Sequence, residues 1–141
     1  MRPVLPVILL LACAPAGTQA PEIVVVGTDY AFAHPDTLPA GRTALAFENR
    51  GRVHHELLLA KLKPGVTLEQ ALAANQAGDD VRTLQEDGAS VLYASPGGRS
   101  TARLLVDLEA GRTYAVVCLM RDTEQAPPHA VMGMVSSIAV N

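Results

Sequence analysis

The chain has no tryptophan, and Phe, Trp and Tyr together make up 4% of its 141 residues. It lacks any run of Lys and Arg with interleaved aromatics, and its net charge of -3 is spread over both signs. Nucleic-acid binding, which needs a basic face, is not expected. No phosphate-binding glycine loop, no G-x-S-x-G turn and no glycine-centred calcium loop occurs. Nucleotide, serine-nucleophile and calcium-loop chemistry therefore find no support. The apolar run near the start, Val4 to Ala12, is too short to span a bilayer. Only two cysteines are present, Cys13 and Cys118.

What is present fits one compact domain: 49% of the residues are hydrophobic and 18% charged, enough apolar surface for a core at this length. The N-terminus, "MRPVLPVILLLACAPAGTQAPE", has one Arg, the apolar run, then small and polar residues. That is the pattern of an export signal, placed at residues 1–12. A buried first strand is the plainer reading, but two prolines and the Ala/Pro/Gly/Thr/Gln stretch speak against it. Within the segment, "LLAC" resembles the lipobox of bacterial lipoproteins, which implies that Cys13 is acylated and anchors the chain to a membrane. Residues 13–21 then read as a tether. Leu11 is an unusual residue just before the final small one, so a soluble exported form cut nearer Ala20 is the alternative. In both forms Cys118 is alone in an exported domain, in the periplasm or cell envelope, and a disulfide is not expected. An unpaired thiol in an oxidising compartment needs a reason, either deep burial or a metal.

From Glu22 onward the chain alternates like sheet. "EIVVVGTDYAF" is a β-rich run broken by Gly27; "RTALAFENRG" puts Thr43, Leu45 and Phe47 on one face; "HHELLLAKL" follows a turn at Asn49 to Gly51. The period then changes. Over about residues 64–88, Thr67 with Gln70 predicts a capping box, and Leu68, Leu72, Val81 and Leu84 recur at helical spacing on either side of Gly78. Two short helices inserted into a β chain are expected, with Asp79, Asp80, Glu86 and Asp87 on their solvated face. Sheet resumes with "VLYAS", "TARLLVDLEAG", "TYAVVCLM" and "MVSSIAV", separated by Gly and Pro turns. About seven short strands predict an all-β, two-sheet sandwich, with a barrel as the rival.

Alternation along a strand sends His54 outward with Glu56 and His55 inward with Leu57 and Leu59. Cys118 shares the inward face of Tyr114 and Val116, and Met134 that of Ile138 and Val140. Taken singly, each is ordinary core: a satisfied imidazole, a small hydrophobe, a space-filling thioether. Together with His129 they make a different set, because one thiolate, two imidazoles and a weak thioether are the ligands of a blue-copper electron-transfer site. Zinc shares Cys and His, but a structural zinc site takes four strong donors, so copper accounts better for the methionine. His34, before a proline turn, reads as a loop residue, and Met120 as core beside Cys118.

The segments "NRGRVHHEL" and "C…PHAVMGMV", with "PAGRTALAFEN" leading into the first, resemble the cupredoxin family from about Glu22 to Asn141. The resemblance implies a Greek-key sandwich over residues 22–141, one copper ion, and His55, Cys118 and His129 as strong ligands with Met134 axial. Met132 competes for the axial place; Gly133 and the strand phase favour Met134. The resemblance also implies an exposed His129 as the point where electrons leave. The loop from Cys118 to His129 is longer than in small carriers such as plastocyanin, and its "RDTEQAPP" stretch suits a partner surface. A monomer that transfers single electrons or handles copper with a redox or copper-trafficking protein partner is the leading expectation. A metal-free protein-binding domain of the same fold is the alternative. Enzymatic activity is not expected, since only His34 and His54 remain for further copper ligands.

Overall fold

The computed structural model describes residues 19–141, so the segment read as an export signal, Cys13 and most of the segment read as a tether lie outside the described residues. Among the described residues nine strands form two sheets, in the order β1 (Glu22–Thr28), β2 (Ala31–Ala33), β3 (Thr37–Leu38), β4 (Gly41–Asn49), β5 (His55–Leu62), β6 (Gln85–Ala94), β7 (Leu104–Leu108), β8 (Thr113–Val117) and β9 (Val135–Val140). One sheet runs β2-β1-β4-β7 and the other β3-β9-β8-β5-β6. The chain changes sheet on entering and on leaving β3, and again between β4 and β5, between β6 and β7, and between β7 and β8. The result is the Greek-key sandwich expected from the strand pattern.

The core lies between the sheets. Val25, Leu45 and Phe47 from one sheet and Leu57, Val116 and Ile138 from the other are buried in a single cluster. The predicted inward set of β4 holds, with Thr43, Leu45 and Phe47 all buried. Ala44 and Ala46, on its other face, are buried as well, because β4 is flanked by β1 and β7 and a methyl group is easily covered.

Several elements differ from the expectation. "EIVVVGTDYAF" is two strands, not one: the chain folds back at Asp29–Tyr30 and pairs antiparallel, Val26 opposite Ala33. Tyr30 takes a left-handed backbone conformation there, with φ 67°, which costs an ordinary side chain about 1–2 kcal/mol. Two-residue β3, parallel to β9, carries too short a pattern to be foreseen. The insertion is also shorter than residues 64–88. Helix α1 (Leu68–Ala77) has the predicted capping box, the Thr67 side chain accepting from the Gln70 amide and the Gln70 side chain from the Thr67 amide. It ends at Gly78 in the left-handed region, and a 3-10 turn over Val81–Leu84 stands where a second α-helix was expected. Strand β6 already begins at Gln85, opposite Leu62, after an irregularity in register. Glu86 is therefore a strand residue, paired with Lys61 and Arg112, and not part of a solvated helical face.

Candidate metal centre

The site is assembled at one end of the sandwich from four pieces of chain. His55 opens β5, directly opposite Ala94 of β6. The turn before it is pinned by Asn49, which is fully buried. Asn49 Nδ2 donates to the carbonyls of Val53 (2.8 Å) and Ala94 (3.0 Å), and its Oδ1 accepts from the Gly51 amide at 2.8 Å. A buried side-chain amide with its donors and acceptor all engaged fixes the loop rather than destabilising it. Gly51 is required for close approach: a Cβ there would collide with the Asp29 carboxylate and lie 2.9 Å from His55 Nε2.

Cys118 follows the last residue of β8 and is fully buried. Its amide donates to the Met134 carbonyl at 3.2 Å and its carbonyl accepts from Ala130 at 2.8 Å. The loop to His129 is closed by His129 N–H donating to Met120 O at 2.8 Å. His129 starts a 3-10 turn, His129–Met132, that stops at Gly133, whose φ of 107° lies in the region that favours glycine. Met134 then donates its amide to His129 O at 2.9 Å and is fully buried, whereas Met132 is 39% exposed. Glu56, the acid of the "HE" pair, links the two halves. Its amide points at Cys118 Sγ (3.5 Å) and its carboxylate accepts from the Leu119 amide (3.0 Å).

Three donor atoms converge. His55 Nδ1 lies 3.1 Å from His129 Nδ1, and Cys118 Sγ lies 3.4 Å from His129 Nδ1 and 3.9 Å from His55 Nδ1. Atoms bound at about 2.0–2.3 Å to one common first-row ion stand at such separations. Burial pushes the Cys118 thiol up, opposed by the backbone N–H of Glu56 and Met120. Burial lowers the His55 imidazole, opposed by Asp29, so that it is neutral at neutral pH, as a ligand must be.

The outer nitrogens of both rings face carboxylates. His129 Nε2 is 3.0 Å from Asp122 Oδ1, and His55 Nε2 is 3.5 Å from Asp29 Oδ1. Asp29 is held down to about 2, chiefly by hydrogen bonds from Arg52, and Asp122 is lowered chiefly by the Tyr30 hydroxyl; both are carboxylates that can only accept. In a neutral His129 that donates to Asp122, the proton sits on Nε2 and a bare Nδ1 lone pair turns inward. His55 has two choices. With its proton on Nε2, two Nδ1 lone pairs face each other; with its proton on Nδ1, a lone pair faces the Asp29 carboxylate. His55 Nε2 is the buried side-chain nitrogen without a well-formed hydrogen bond among the described residues. A cation between the Nδ1 atoms and the sulfur removes the conflict. The donor set, two imidazoles and a thiol beside a buried Met134, thus fits a soft first-row ion such as copper.

His54 points outward, as expected, and meets the Tyr93 hydroxyl at 2.5 Å. His34 is the loop residue expected, bonded to Pro35 O and Ser136 Oγ. One expectation fails: His129 is not exposed but 1% accessible. Asp122 caps its Nε2, Tyr30 donates to Asp122 Oδ2 at 2.6 Å, and the Tyr30 ring stands edge-on to the imidazole with centroids 5.0 Å apart. Asp29, Tyr30 and Asp122 were missed in the sequence because no local pattern joins them; a shared position at the site exists only after β1 and β2 turn at one end of the sandwich.

No protein-family profile matches the chain, and no curated protein matches it. Solved structures do. An auracyanin from the photosynthetic bacterium Roseiflexus castenholzii, in its reduced form, is 20% identical with a TM-score of 0.53 over 86% of this chain and 98% of its own. Auracyanin B is 20% identical with a TM-score of 0.54 over 93% of each chain. Auracyanin A, a "blue" copper protein from the green thermophilic bacterium Chloroflexus aurantiacus, is 21% identical with a TM-score of 0.50 over 87% of this chain and all of its own. The fold is cupredoxin-like.

Proposed function

We propose that the protein is an exported copper protein with a type 1 site, in which His55, Cys118 and His129 are the strong ligands and Met134 the axial one. It acts in one-electron transfer or copper handling and is not an enzyme. The observation that carries this reading is the convergence of the buried Cys118 sulfur with two imidazole Nδ1 atoms, all within 4.8 Å of one another. Full burial of Met134 and the 39% exposure of Met132 support Met134 as the axial donor. Copper, when bound, supplies a centre that gains and loses one electron. The chain supplies a rigid frame, because backbone hydrogen bonds join Cys118 to Met134 and Met134 to His129 while His55 is held in β5 opposite Ala94, and a dry shell that spares the site solvent rearrangement. Leu119, Val131 and Met132 are exposed beside the ligands, at 51%, 66% and 39%, and suit an apolar contact with a redox or copper-trafficking protein partner. Lipidation at Cys13, attachment to the membrane of the cell envelope, a periplasmic location and a monomeric state complete the proposal.

Copper(II) loading is the test. The loaded protein is expected to show intense visible thiolate-to-copper absorption, and Cys118→Ser to abolish it while the sandwich stays folded. A folded protein that takes up no copper and shows no such band would favour a metal-free cupredoxin-like domain that binds a protein partner.

A further inference from the structure

We propose that Asp122, itself held by Tyr30, is a positioning residue: it keeps the proton of His129 on Nε2, aims Nδ1 at the metal site, and adds negative charge that favours oxidised copper. The inference rests on the copper reading for its redox part alone. Three observations carry it. Asp122 Oδ1 lies 3.0 Å from the outer nitrogen of a ring that is 1% exposed, so the imidazole has this carboxylate where solvent was expected. The second oxygen, Oδ2, is occupied by the Tyr30 hydroxyl at 2.6 Å, which leaves the carboxylate little freedom to turn away. Tyr30 is presented by a two-residue turn in which it alone among the described non-glycine residues has positive φ, a conformation that is held against its own cost.

The two carboxylates behind the two imidazoles are not equivalent. Asp29 accepts from the Arg52 amide at 2.8 Å and guanidinium at 2.9 Å, so its charge is largely cancelled before it reaches His55. Asp122 meets a phenol and an imidazole, and among the described residues no Lys or Arg forms an ion pair with it. A carboxylate on the far nitrogen makes a ligating imidazole a stronger donor, and such partners are worth about 10–100-fold in metal affinity. The effect of Asp122 is therefore expected to exceed that of Asp29.

Two measurements test this. In the metal-free protein, nitrogen NMR of His129 should show the Nε2–H tautomer, and Asp122→Ala should lose it. In the copper-loaded protein, Asp122→Asn, which keeps the shape and removes the charge, should raise the midpoint potential and weaken Cu(II) binding by about 10–100-fold, with the visible band retained. Tyr30→Phe should move both in the same direction by less, and Asp29→Asn should change the potential less than Asp122→Asn does. An Nδ1–H tautomer in the wild-type apoprotein, or an unchanged potential in Asp122→Asn, overturns the assignment. If the wild type binds no copper, the functional reading fails by itself, and the tautomer in apoprotein and Asp122→Ala still decides whether Asp122 positions the ring. Should Asp122→Ala not fold, the tautomer in Asp122→Asn is the readout, with retention of Nε2–H at a raised potential supporting the role and no change in potential overturning it.

Discussion

The metal end of the sandwich and the helical insertion are built on opposite principles. At the metal end His55, Cys118, His129, Met134 and Asn49 are each 1% exposed or less, and every one depends on residues far away in the chain. Helix α1 contains no buried residue, and its ends are closed by neighbours, Thr67 with Gln70 at one and Gly78 at the other. Between the helix and the outer face of the β5–β8–β9 sheet lies an apolar groove of about 210 Å³ lined by Leu58, Leu72, Val117 and Val135. The insertion is thus held by local capping and loose side-chain contact, whereas the metal end is held by packing and, His55 Nε2 apart, by satisfied polar groups. A ligand set must be dry and fixed, and only the second kind of construction provides that.

Perturbing each region separately should expose the difference. The largest effect is expected at Phe47, fully buried and, like the Met134 side chain, lying against Gly27. Phe47→Ala should cost about 3–5 kcal/mol in urea unfolding and broaden the copper spectrum, because the support of the methionine is lost. Gly51→Ala comes next: the new methyl group has no space between Asp29 and His55, so a loss of about 1–3 kcal/mol should accompany weaker copper uptake by titration. Thr67→Ala removes the cap of α1 and should cost about 1 kcal/mol, seen as faster amide exchange over Leu68–Ala77 with an unchanged visible spectrum. If it altered the spectrum, the two regions would not be independent.

The smallest effect is expected where the insertion joins the sheet, at the end of β5 away from His55. Glu86 lies below its ordinary value of 4.5, first through Lys61 and then through Arg112. A depressed carboxyl contributes stability that is present above its unfolded value of about 4.3 and is lost as pH falls through the folded value. Glu86→Gln should therefore flatten the acid limb of a stability–pH curve below about pH 4.3 and leave stability at pH 7 slightly lower. Much of the gain is screened, because the Glu86 side chain is 34% exposed.

The legible parts were those with a short-range cause. Inward phase placed His55, Cys118 and Met134 in the interior, and all three are fully buried. The capping box at Thr67 needed only four residues to be read. The illegible parts have long-range causes. The limit of the insertion was misjudged because Gln85 to Ser90 has no alternation of its own and is strand only through pairing with β5. The turn at Asp29–Tyr30 went unseen because tyrosine has no preference for the left-handed region.

By itself, then, the sequence determined which residues face inward, where the helix is capped and that one thiol, two imidazoles and a thioether are on hand. Periodicity and residue chemistry act over a few positions and can be read from a line of letters. The tertiary structure decided that His55 and His129 turn Nδ1 toward each other and Cys118, and that Tyr30 and Asp122 close over His129. Those facts depend on distances between segments that meet only when two sheets pack, and ligand geometry is set by such distances, not by spacing along the chain.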